Sequence, residues 1–315
     1  MDKYIISTDA CVNLPKWLTD KYDVPIVPMP FSLNEPIGEK DISLLGVIKK
    51  TEYKRVDYRS DTTTMSMPEF YGKLSNGAVP LTSQANATLI ESYLEPYLKE
   101  GKDILHISFS SGMSGMYNSA CLAQKELQQK YPDRKIIVVD SLSGGGGEGL
   151  AVVDAYKQYE LSKSIDEAAS YVEEEKLRYR HYFTVGDIKF IAKSGRISSF
   201  QELIGTLLGI TIILGIDSEG KVYPAAKVRG KKKVTRKVLE LIDDYKGGQD
   251  ISSIILDHGN AEESARELGE AIKEEFSEVK NIDYDYVNML VGCNSGPGSL
   301  AVFFKGEKRT FVQNK

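Results

Sequence analysis

Ser110, Ser111 and Ser114 lie in a turn of small residues, Ser-Ser-Gly-Met-Ser-Gly, which follows a short apolar run and precedes a helical segment. The pattern predicts a strand, a turn and a helix. Serine hydroxyls and free backbone N–H groups at the start of a helix bind anions, and in an open α/β sheet this place lies in the ligand crevice beyond the carboxyl ends of the strands. The turn therefore predicts an anion-binding site.

Nucleophilic catalysis is an alternative chemistry for the same serines. The imidazoles that could serve as a base are His106, His181 and His258. A nucleophile elbow of the G-x-S-x-G type centred on Ser114 needs a glycine at position 116, where this chain has Met116. Two alternatives stay open: a protein that binds another lipid or carboxylate, and a serine hydrolase that uses Ser111 or Ser114. The preferred interpretation assigns no catalytic residue.

The motifs of metal and nucleotide sites are absent from the sequence. No two histidines are close together, and neither H-E-x-x-H nor C-x-x-C occurs, so we expect no metal. Residues 143–149 contain five glycines after a predicted strand, but they lack the G-x-G-x-x-G spacing and the lysine of a Walker loop. We interpret this segment as a flexible loop near the cleft.

Composition places the chain among ordinary globular proteins. Its 315 residues suggest two domains, and 40 Lys plus Arg against 45 Asp plus Glu give a formal charge of −5. This mild acidity gives no reason to expect nucleic acid as a partner. The three cysteines are widely spaced, which favours reduced thiols, and the N-terminus lacks the form of a signal peptide. We therefore expect a cytoplasmic protein.

Strand-like and helix-like segments alternate along the whole chain. This order predicts an α/β fold: two α/β domains with mainly parallel or mixed sheets and a ligand cleft between them. The predicted domains are residues 1–161, which carry the anion-binding turn, and residues 162–315. In the second domain, Ser164 and Glu167 predict a helix capping box, and residues 217–220 predict a hairpin turn.

Several segments have less regular patterns. Residues 34–59 are polar and charged, and we interpret them as a surface excursion. Residues 80–86 predict a turn before a helix. Residues 284–290 predict a strand, which a tight turn at residues 294–298 follows.

Two segments of the second domain are unusual in composition. Residues 203–216 form one apolar stretch, which at 14 residues is too short to cross a bilayer as a helix but could line a lipid tunnel. Between positions 227 and 237, seven cations occur within eleven residues. In an acidic protein, this basic patch could dock an acidic partner or, transiently, an anionic membrane surface.

Seven short motifs, in order across nearly the whole chain, resemble those of the DegV family of bacterial fatty-acid-binding proteins. They are Thr8-Asp9, Thr82-Ser83-Gln84, the turn at 110–117, Val139-Asp140-Ser141, Ser194-Gly195-Arg196-Ile197-Ser198, residues 227–232 and Gly296-Pro297-Gly298. The resemblance implies a two-domain α/β protein that holds one fatty acid in a tunnel between its domains and presents it to a separate fatty acid kinase. Such a protein is not itself an enzyme, and it carries a bound fatty acid rather than a cofactor.

The resemblance also implies roles for particular side chains. The expected ligand-binding residues are Thr82, Ser83, Ser110, Ser111, Ser114 and Asn294. Of these, Thr82 and Ser111 are the expected donors to the carboxylate. Arg196 and Arg229 are expected on the surface that meets the kinase.

The chain departs from the family pattern in three places. Asn294 stands where family members usually carry a histidine, and asparagine can hydrogen-bond a carboxylate but cannot carry a charge or shuttle a proton. Ala85 stands where a proline commonly follows Thr-Ser-Gln, and the polar segment 34–59 is longer than typical.

Overall fold

The computed structural model describes residues 4–41, 49–196 and 209–312. The strands in these ranges are β1 (Tyr4–Asp9), β2 (Ile26–Val27), β3 (Pro30–Asp41), β4 (Lys49–Arg59), β5 (Val79–Thr82), β6 (Asp103–Ser108), β7 (Ile136–Asp140), β8 (Tyr179–Thr184), β9 (Thr211–Ile216), β10 (Val222–Val228), β11 (Ser253–His258), β12 (Asn281–Tyr286) and β13 (Leu300–Lys305). The α-helices are α1 (Lys16–Lys21), α2 (Met67–Ser75), α3 (Ala87–Lys99), α4 (Met116–Lys130), α5 (Gly146–Glu160), α6 (Ile165–Glu175), α7 (Ile188–Lys193), α8 (Lys231–Lys246), α9 (Glu262–Glu275) and α10 (Met289–Ser295). None of these helices is long and apolar enough to cross a membrane.

The first half of the chain is built on a parallel sheet of four strands in the order β2-β1-β6-β7. Successive side chains of β6 point to opposite faces of this sheet. Ile104 packs in the core with α3 and α4, whereas Leu105 and Ile107 pack in a second core with α5 and α6. Helices therefore cover both faces, as a parallel sheet requires.

The second half is built on a mixed sheet of six strands in the order β10-β9-β8-β13-β11-β12. Only β11 and β12 run parallel in this sheet, and the other neighbouring pairs are antiparallel. Helices α8 and α9 cover one face, and the other face is turned towards α5 and the first half. The predicted fold class, with two α/β units and a parallel and a mixed sheet, is confirmed.

Within the predicted excursion 34–59, residues 34–41 and 49–59 are not irregular, because they belong to the antiparallel strands β3 and β4, and residues 42–48 lie outside the described ranges. β3 and β4 pair from Pro30 opposite Arg59 to Asp41 opposite Lys49, and together they form a long β-hairpin. β5 pairs with the base of β3, so residues 79–82 are a strand, although the sequence predicts a turn from residue 80. The outer part of β3 and most of β4 are exposed, and such strands lack the alternation of apolar and polar residues that marks a half-buried strand.

The glycine-rich segment 143–149 is not a flexible loop, because its second half is the first turn of α5. This helix lies between the two large sheets and contacts strands of both. A Cβ atom at residue 149 would lie 2.1 Å from the carbonyl oxygen of Asn13, and one at residue 146 would lie 2.5 Å from the ring of Phe303. Glycine is needed here for close approach to both halves.

The predicted boundary between residues 161 and 162 does not coincide with a change in packing. Helix α6 begins with the predicted capping box, in which the Ser164 hydroxyl accepts from the backbone N–H of Glu167. Its buried residues, Ile165 and Val172 among them, share a core with the parallel sheet. By packing, α6 belongs to the first half, and the second half begins with β8.

The strand predicted over 284–290 is correct as far as Tyr286, where β12 ends, but Met289–Ser295 is the helix α10. The turn predicted over 294–298 is present only after this helix, at residues 297–298. Helix α10 begins three residues after β12, and the Asn288 side chain caps it by accepting from the N–H of Val291 at 3.0 Å. Asn294 therefore lies on a helix. The predicted hairpin turn at 217–220 is confirmed by the antiparallel pairing of β9 with β10.

We expect opposite effects from alanine at two helical glycines. Gly149→Ala should lower the free energy of unfolding by about 2–3 kcal/mol, because the added methyl group overlaps a backbone carbonyl. Gly72→Ala in α2 should raise it by up to about 1 kcal/mol, because nothing lies within 4 Å of the added atom and alanine favours helix. Urea unfolding measures both, and a neutral Gly149→Ala would show that α5 does not need the close contact.

Candidate functional site

A cavity of about 370 Å³ lies between the two halves. This volume falls within the range of about 300–1,000 Å³ that is usual for small-molecule sites. The first half contributes mainly the segments after β1, β5, β6 and β7, and the second half contributes β8, β9, β10, β13 and α10. Its apolar lining includes Phe109, Met113, Phe183, Ile191, Ile216, Val222, Leu290, Ala301 and Phe303.

Arg196 is the one lysine or arginine among the described residues that line the cavity. Its Nη1 donates to Oδ1 of Asn294 at 2.6 Å, and its Nε donates to the carbonyl of Met113 at 3.0 Å. Burial lowers the pKa of Arg196, yet a guanidinium keeps its charge at neutral pH. The side chain expected on the partner surface therefore brings a positive charge to the cavity.

Arg196, Asn294 and four hydroxyl or amide residues form the mouth of the cavity. The other four are Thr82, Ser83, Gln84 and Ser114. Ser83 and Gln84 are exposed, and the remaining members are half-buried. The residue after Ser114 is Gly115, where a Cβ atom would lie 2.3 Å from the Gln84 side chain, so the two polar segments touch.

Four of the six expected ligand-binding residues, Thr82, Ser83, Ser114 and Asn294, line the cavity, whereas Ser110 and Ser111 do not. The Ser110 hydroxyl is buried and donates to the carbonyl of Gly220 at 2.8 Å, so this serine joins the turn to the β9–β10 hairpin. Ser111 is exposed, and its backbone N–H donates to Asp140 at 3.1 Å. The start of the turn, with Ser110 and Ser111, is thus structural, and its end, with Ser114, lines the cavity.

Asp9 at the end of β1 holds the backbone on which the turn begins. Its carboxylate accepts from the N–H groups of Phe109 at 2.8 Å and Cys11 at 3.0 Å, and both of these residues line the cavity. Burial raises the pKa of Asp9 to about 6, although these hydrogen bonds oppose the rise. Asp9 thus positions the floor of the site rather than lining it.

A second buried acid, Glu148 in the first turn of α5, lies beside Asp9. Thr8 donates to its Oε1 at 2.6 Å, and its Oε2 has no hydrogen-bond partner. Burial raises the pKa of Glu148 well above its ordinary value, and repulsion from Asp9 adds to the rise. We therefore take Glu148 as the protonated member of the pair at neutral pH.

The wall formed by the six-stranded sheet also carries polar groups. Asp257 and His181 both line the cavity, and they are 1% and 3% exposed. Burial raises the pKa of Asp257 well above its ordinary value and lowers that of His181 well below, so both side chains favour their neutral forms. Arg196 is then the charged group of the cavity lining.

The three candidate nucleophiles have no histidine within hydrogen-bond distance of their hydroxyls in the described part of the chain. The Ser114 hydroxyl accepts from the N–H of Met116 at 3.2 Å, a local bond within the turn. The one serine–histidine hydrogen bond in the described ranges joins Ser7 to Nδ1 of His106 at 3.0 Å, and both residues are buried in the first half. This arrangement does not support the hydrolase alternative.

The second residue expected on the partner surface, Arg229, is exposed and lies outside the cavity, just after β10. The basic patch continues into α8 with the exposed side chains of Lys232, Lys233 and Arg236. Glu240 partly neutralises it, since it pairs with Arg236 at 3.2 Å and with Lys237 at 3.0 Å. Of the apolar stretch 203–216, residues 203–208 lie outside the described ranges, and Thr211–Ile216 is the buried strand β9.

Sequence reasoning missed the cavity role of Arg196 and the two buried groups on the sheet wall. Asp257 comes at the end of a predicted strand in the sequence Leu-Asp-His-Gly, and an acid in a run of buried residues was the available signal. His181 carried no comparable signal, because a buried histidine is usually a structural residue.

A family model described as "Uncharacterised protein, DegV family" matches residues 34–307. The DegV domain-containing protein CPE0026 of Clostridium perfringens is 35% identical over 310 residues, which cover 98% of this chain and 99% of that protein. Two solved structures from Thermotoga maritima are each 25% identical to this chain. One is described as a DegV lipid-binding protein, with a TM-score of 0.79 over 98% of this chain and 100% of that one. The other is described as revealing a fatty acid binding function, with a TM-score of 0.78 over 97% and 100%.

We expect the stability gain from Glu148→Gln to depend on pH. The pKa of Glu148 is higher in the folded protein than its ordinary 4.5, so the folded state holds a proton that the unfolded state releases, and stability falls as pH rises above about 4.5. Glutamine imitates the protonated acid, and the variant should therefore gain stability over wild type at pH 8 but not at pH 4.5.

Glu167→Gln is the matched control with the opposite sign. The backbone N–H of Ser164, together with Lys163, lowers the pKa of Glu167 to about 2, so its contribution is present above pH 4.5 and is lost as pH falls towards 2. This variant should lose stability at pH 8. Urea unfolding at each pH measures both effects, and an equal effect of Glu148→Gln at both pH values would mean that this carboxyl does not change its charge between them.

Proposed function

Since this chain belongs to the DegV family, we propose that it binds a long-chain fatty acid in the cavity between its two halves and presents the carboxylate to a fatty acid kinase. The observation that carries this proposal is the composition of the cavity: one guanidinium with hydroxyl and amide groups at the mouth, and mainly apolar side chains behind them. A long-chain carboxylate has the same division between one charged end and an apolar remainder.

The apolar walls account for retention of the chain. Each buried methylene group contributes roughly 0.8 kcal/mol, so about ten buried groups would give strong binding before the costs of ordering are subtracted. Phe109, Phe183 and Phe303 provide large apolar surfaces on both sides of the cavity. The walls thus favour an acyl chain over a small polar acid.

The mouth accounts for recognition of the head group. A desolvated carboxylate needs charge-assisted donors, and Arg196 supplies one beside the amide of Asn294. Ser83, Thr82 and Ser114 add hydroxyl groups to the same lining. Ser114 lies two residues before α4, whose N-terminus favours a negative charge.

The relatives support the same ligand class. The two Thermotoga maritima proteins that share this fold over nearly the whole chain are described as binding lipid and fatty acid. At 25% identity, this likeness supports the class of ligand and leaves the length of the acyl chain open.

Presentation to a kinase is consistent with where the polar groups lie. Ser83 and Gln84 are exposed, so a carboxylate at the mouth lies near the protein surface with its chain buried. A kinase could then transfer the γ-phosphoryl group of ATP to a carboxylate oxygen and release ADP, while the acyl chain stays in the cavity. Arg229 and the basic patch lie on the same half as Arg196 and are the proposed docking groups.

We expect Arg196→Gln to weaken fatty acid binding by about 10- to 100-fold, because it removes a charge-assisted donor. Binding of the fatty alcohol of equal length should change less than threefold, since an alcohol carries no charge. Arg229→Gln, outside the cavity, is the matched control and should leave both affinities unchanged. Competition with a fluorescent fatty acid measures the affinities of wild type and both variants for the acid and for the alcohol. Equal losses of acid and alcohol binding in Arg196→Gln would contradict a head-group role for Arg196.

Two serines of the same turn provide a second comparison. Ser114→Ala should weaken fatty acid binding by about fivefold to tenfold, the usual worth of one hydrogen bond. Ser111→Ala should change it less than twofold, because Ser111 is exposed and does not line the cavity. The same competition assay measures both variants. A larger loss of affinity in Ser111→Ala than in Ser114→Ala would show that Ser111, rather than Ser114, binds the carboxylate.

Purified protein loaded with fatty acid should support acyl phosphate formation when it is mixed with ATP and the fatty acid kinase of the same organism. Hydroxylamine traps the acyl phosphate as a hydroxamate that mass spectrometry detects. Omission of this protein should abolish the product. A loaded protein that yields no hydroxamate with an active kinase would refute presentation while leaving lipid binding intact.

A further inference from the structure

Ala301 lies at the centre of a row of cavity-lining side chains on the six-stranded sheet. On β13 it is paired with Asp257 of β11 on one side and with Phe183 of β8 on the other. Phe303, two residues along the same strand, faces the same way. Because alanine is the smallest of these side chains, the wall is recessed over Ala301, and the carboxyl group of Asp257 flanks the recess.

Asp257 lacks the partners that a buried acid normally has. It is 1% exposed, and its Oδ1 has no hydrogen-bond partner among the described residues. The backbone N–H of Gly146 donates to the carboxyl group, and the described charges that act on it are the carboxylates of Asp285 and Asp283 rather than a cation. Burial, together with these carboxylates, raises the pKa of Asp257 well above its ordinary value and favours the carboxylic acid form, whose O–H can donate.

His181 places a second unsatisfied polar atom on the same wall. Its Nε2 accepts from the N–H of Gly144 at 3.4 Å, so the neutral ring carries its proton on Nδ1. That Nδ1 is buried, and in the described part of the chain the polar group that acts on it is the backbone of Tyr179, with no side chain hydrogen-bonded to it. His181 pairs with Phe303 across β8 and β13, which places it diagonally across Ala301 from Asp257.

A saturated acyl chain satisfies neither of these atoms, and an unsatisfied buried polar group is costly. A cavity that held only methylene groups would be better built with apolar residues at both positions. The head group already has its own donors at the mouth, where Arg196 and Asn294 are hydrogen-bonded to each other. A second polar group on the ligand, placed along its chain, would satisfy a buried polar atom of this wall.

We propose that the recess over Ala301 binds an oxygen function on the acyl chain, so that the preferred ligand is a hydroxy or oxo fatty acid whose chain oxygen accepts a hydrogen bond from Asp257. This inference rests on the proposed function, since it takes the cavity to hold a fatty acid.

The test compares stearic acid with positional isomers of hydroxystearic and oxostearic acid in the fluorescent competition assay. At least one isomer should bind about tenfold more tightly than stearic acid, and the gain should depend on the position of the oxygen along the chain. Isomers that all bind as stearic acid does, or more weakly, would overturn the inference.

Variants of Asp257 assign the gain to this side chain. Asp257→Leu should abolish the preference for the oxygenated isomer, whereas Asp257→Asn, which retains a donor and the side-chain shape, should keep most of the preference. Asp243→Leu is the control and should leave the preference unchanged, because Asp243 is exposed on α8 and does not line the cavity.

The outcomes separate this inference from the proposed function. If wild type binds neither stearic acid nor any isomer, the proposed function fails. If it binds stearic acid but the preference is absent, or is unchanged in both Asp257 variants, only the oxygen subsite fails. Loss of stearic acid binding in a folded Asp257→Asn protein would assign Asp257 to the head group and would also overturn the subsite.

Discussion

The first turn of α5 fixes how closely the two halves of the protein approach. Its glycines let the helix backbone lie against Asn13 on one side and Phe303 on the other, with no side chain between them. The same turn carries Glu148 towards Asp9 and delivers the N–H of Gly146 to Asp257, and the N–H of Gly144, two residues before the helix, reaches His181. The cavity therefore lies beside the place where α5 packs closely against both halves. Its width depends on the glycines of this helix turn, which do not themselves bind ligand.

Charge in the site follows from burial. The two acids beneath and beside the cavity, Glu148 and Asp257, are pushed towards their neutral forms, and His181 is pushed the same way. Arg196 resists neutralisation because a guanidinium holds its proton far more strongly than these groups do. Among the side chains that line the cavity, one cation thus acts beside neutral polar groups, which gives a carboxylate a defined place to bind, while Asp9 lies beneath the floor with its carboxylate held by backbone N–H groups.

The sequence predicted the layered α/β fold because buried parallel strands and amphipathic helices leave strong periodic patterns. It also identified the polar segments at Thr82 and at the turn of Ser114. It could not tell which hydroxyl of that turn faces the ligand, because Ser110 and Ser111 differ from Ser114 only in local backbone direction. Arg196 was placed on the surface for a related reason: a long side chain in a polar loop can point either way, and only packing against α10 decides.

The hairpin of β3 and β4 extends well past the strand that supports it. β5 covers one edge of β3 as far as Asn34, and beyond that point no further strand pairs with either arm in the described ranges. Two long open edges would normally recruit strands from other molecules. Here charged side chains such as Glu39, Lys50 and Lys54 occur along both arms, and Pro36 together with a break in register interrupts β3. The arm can therefore project into solvent without becoming a template for aggregation.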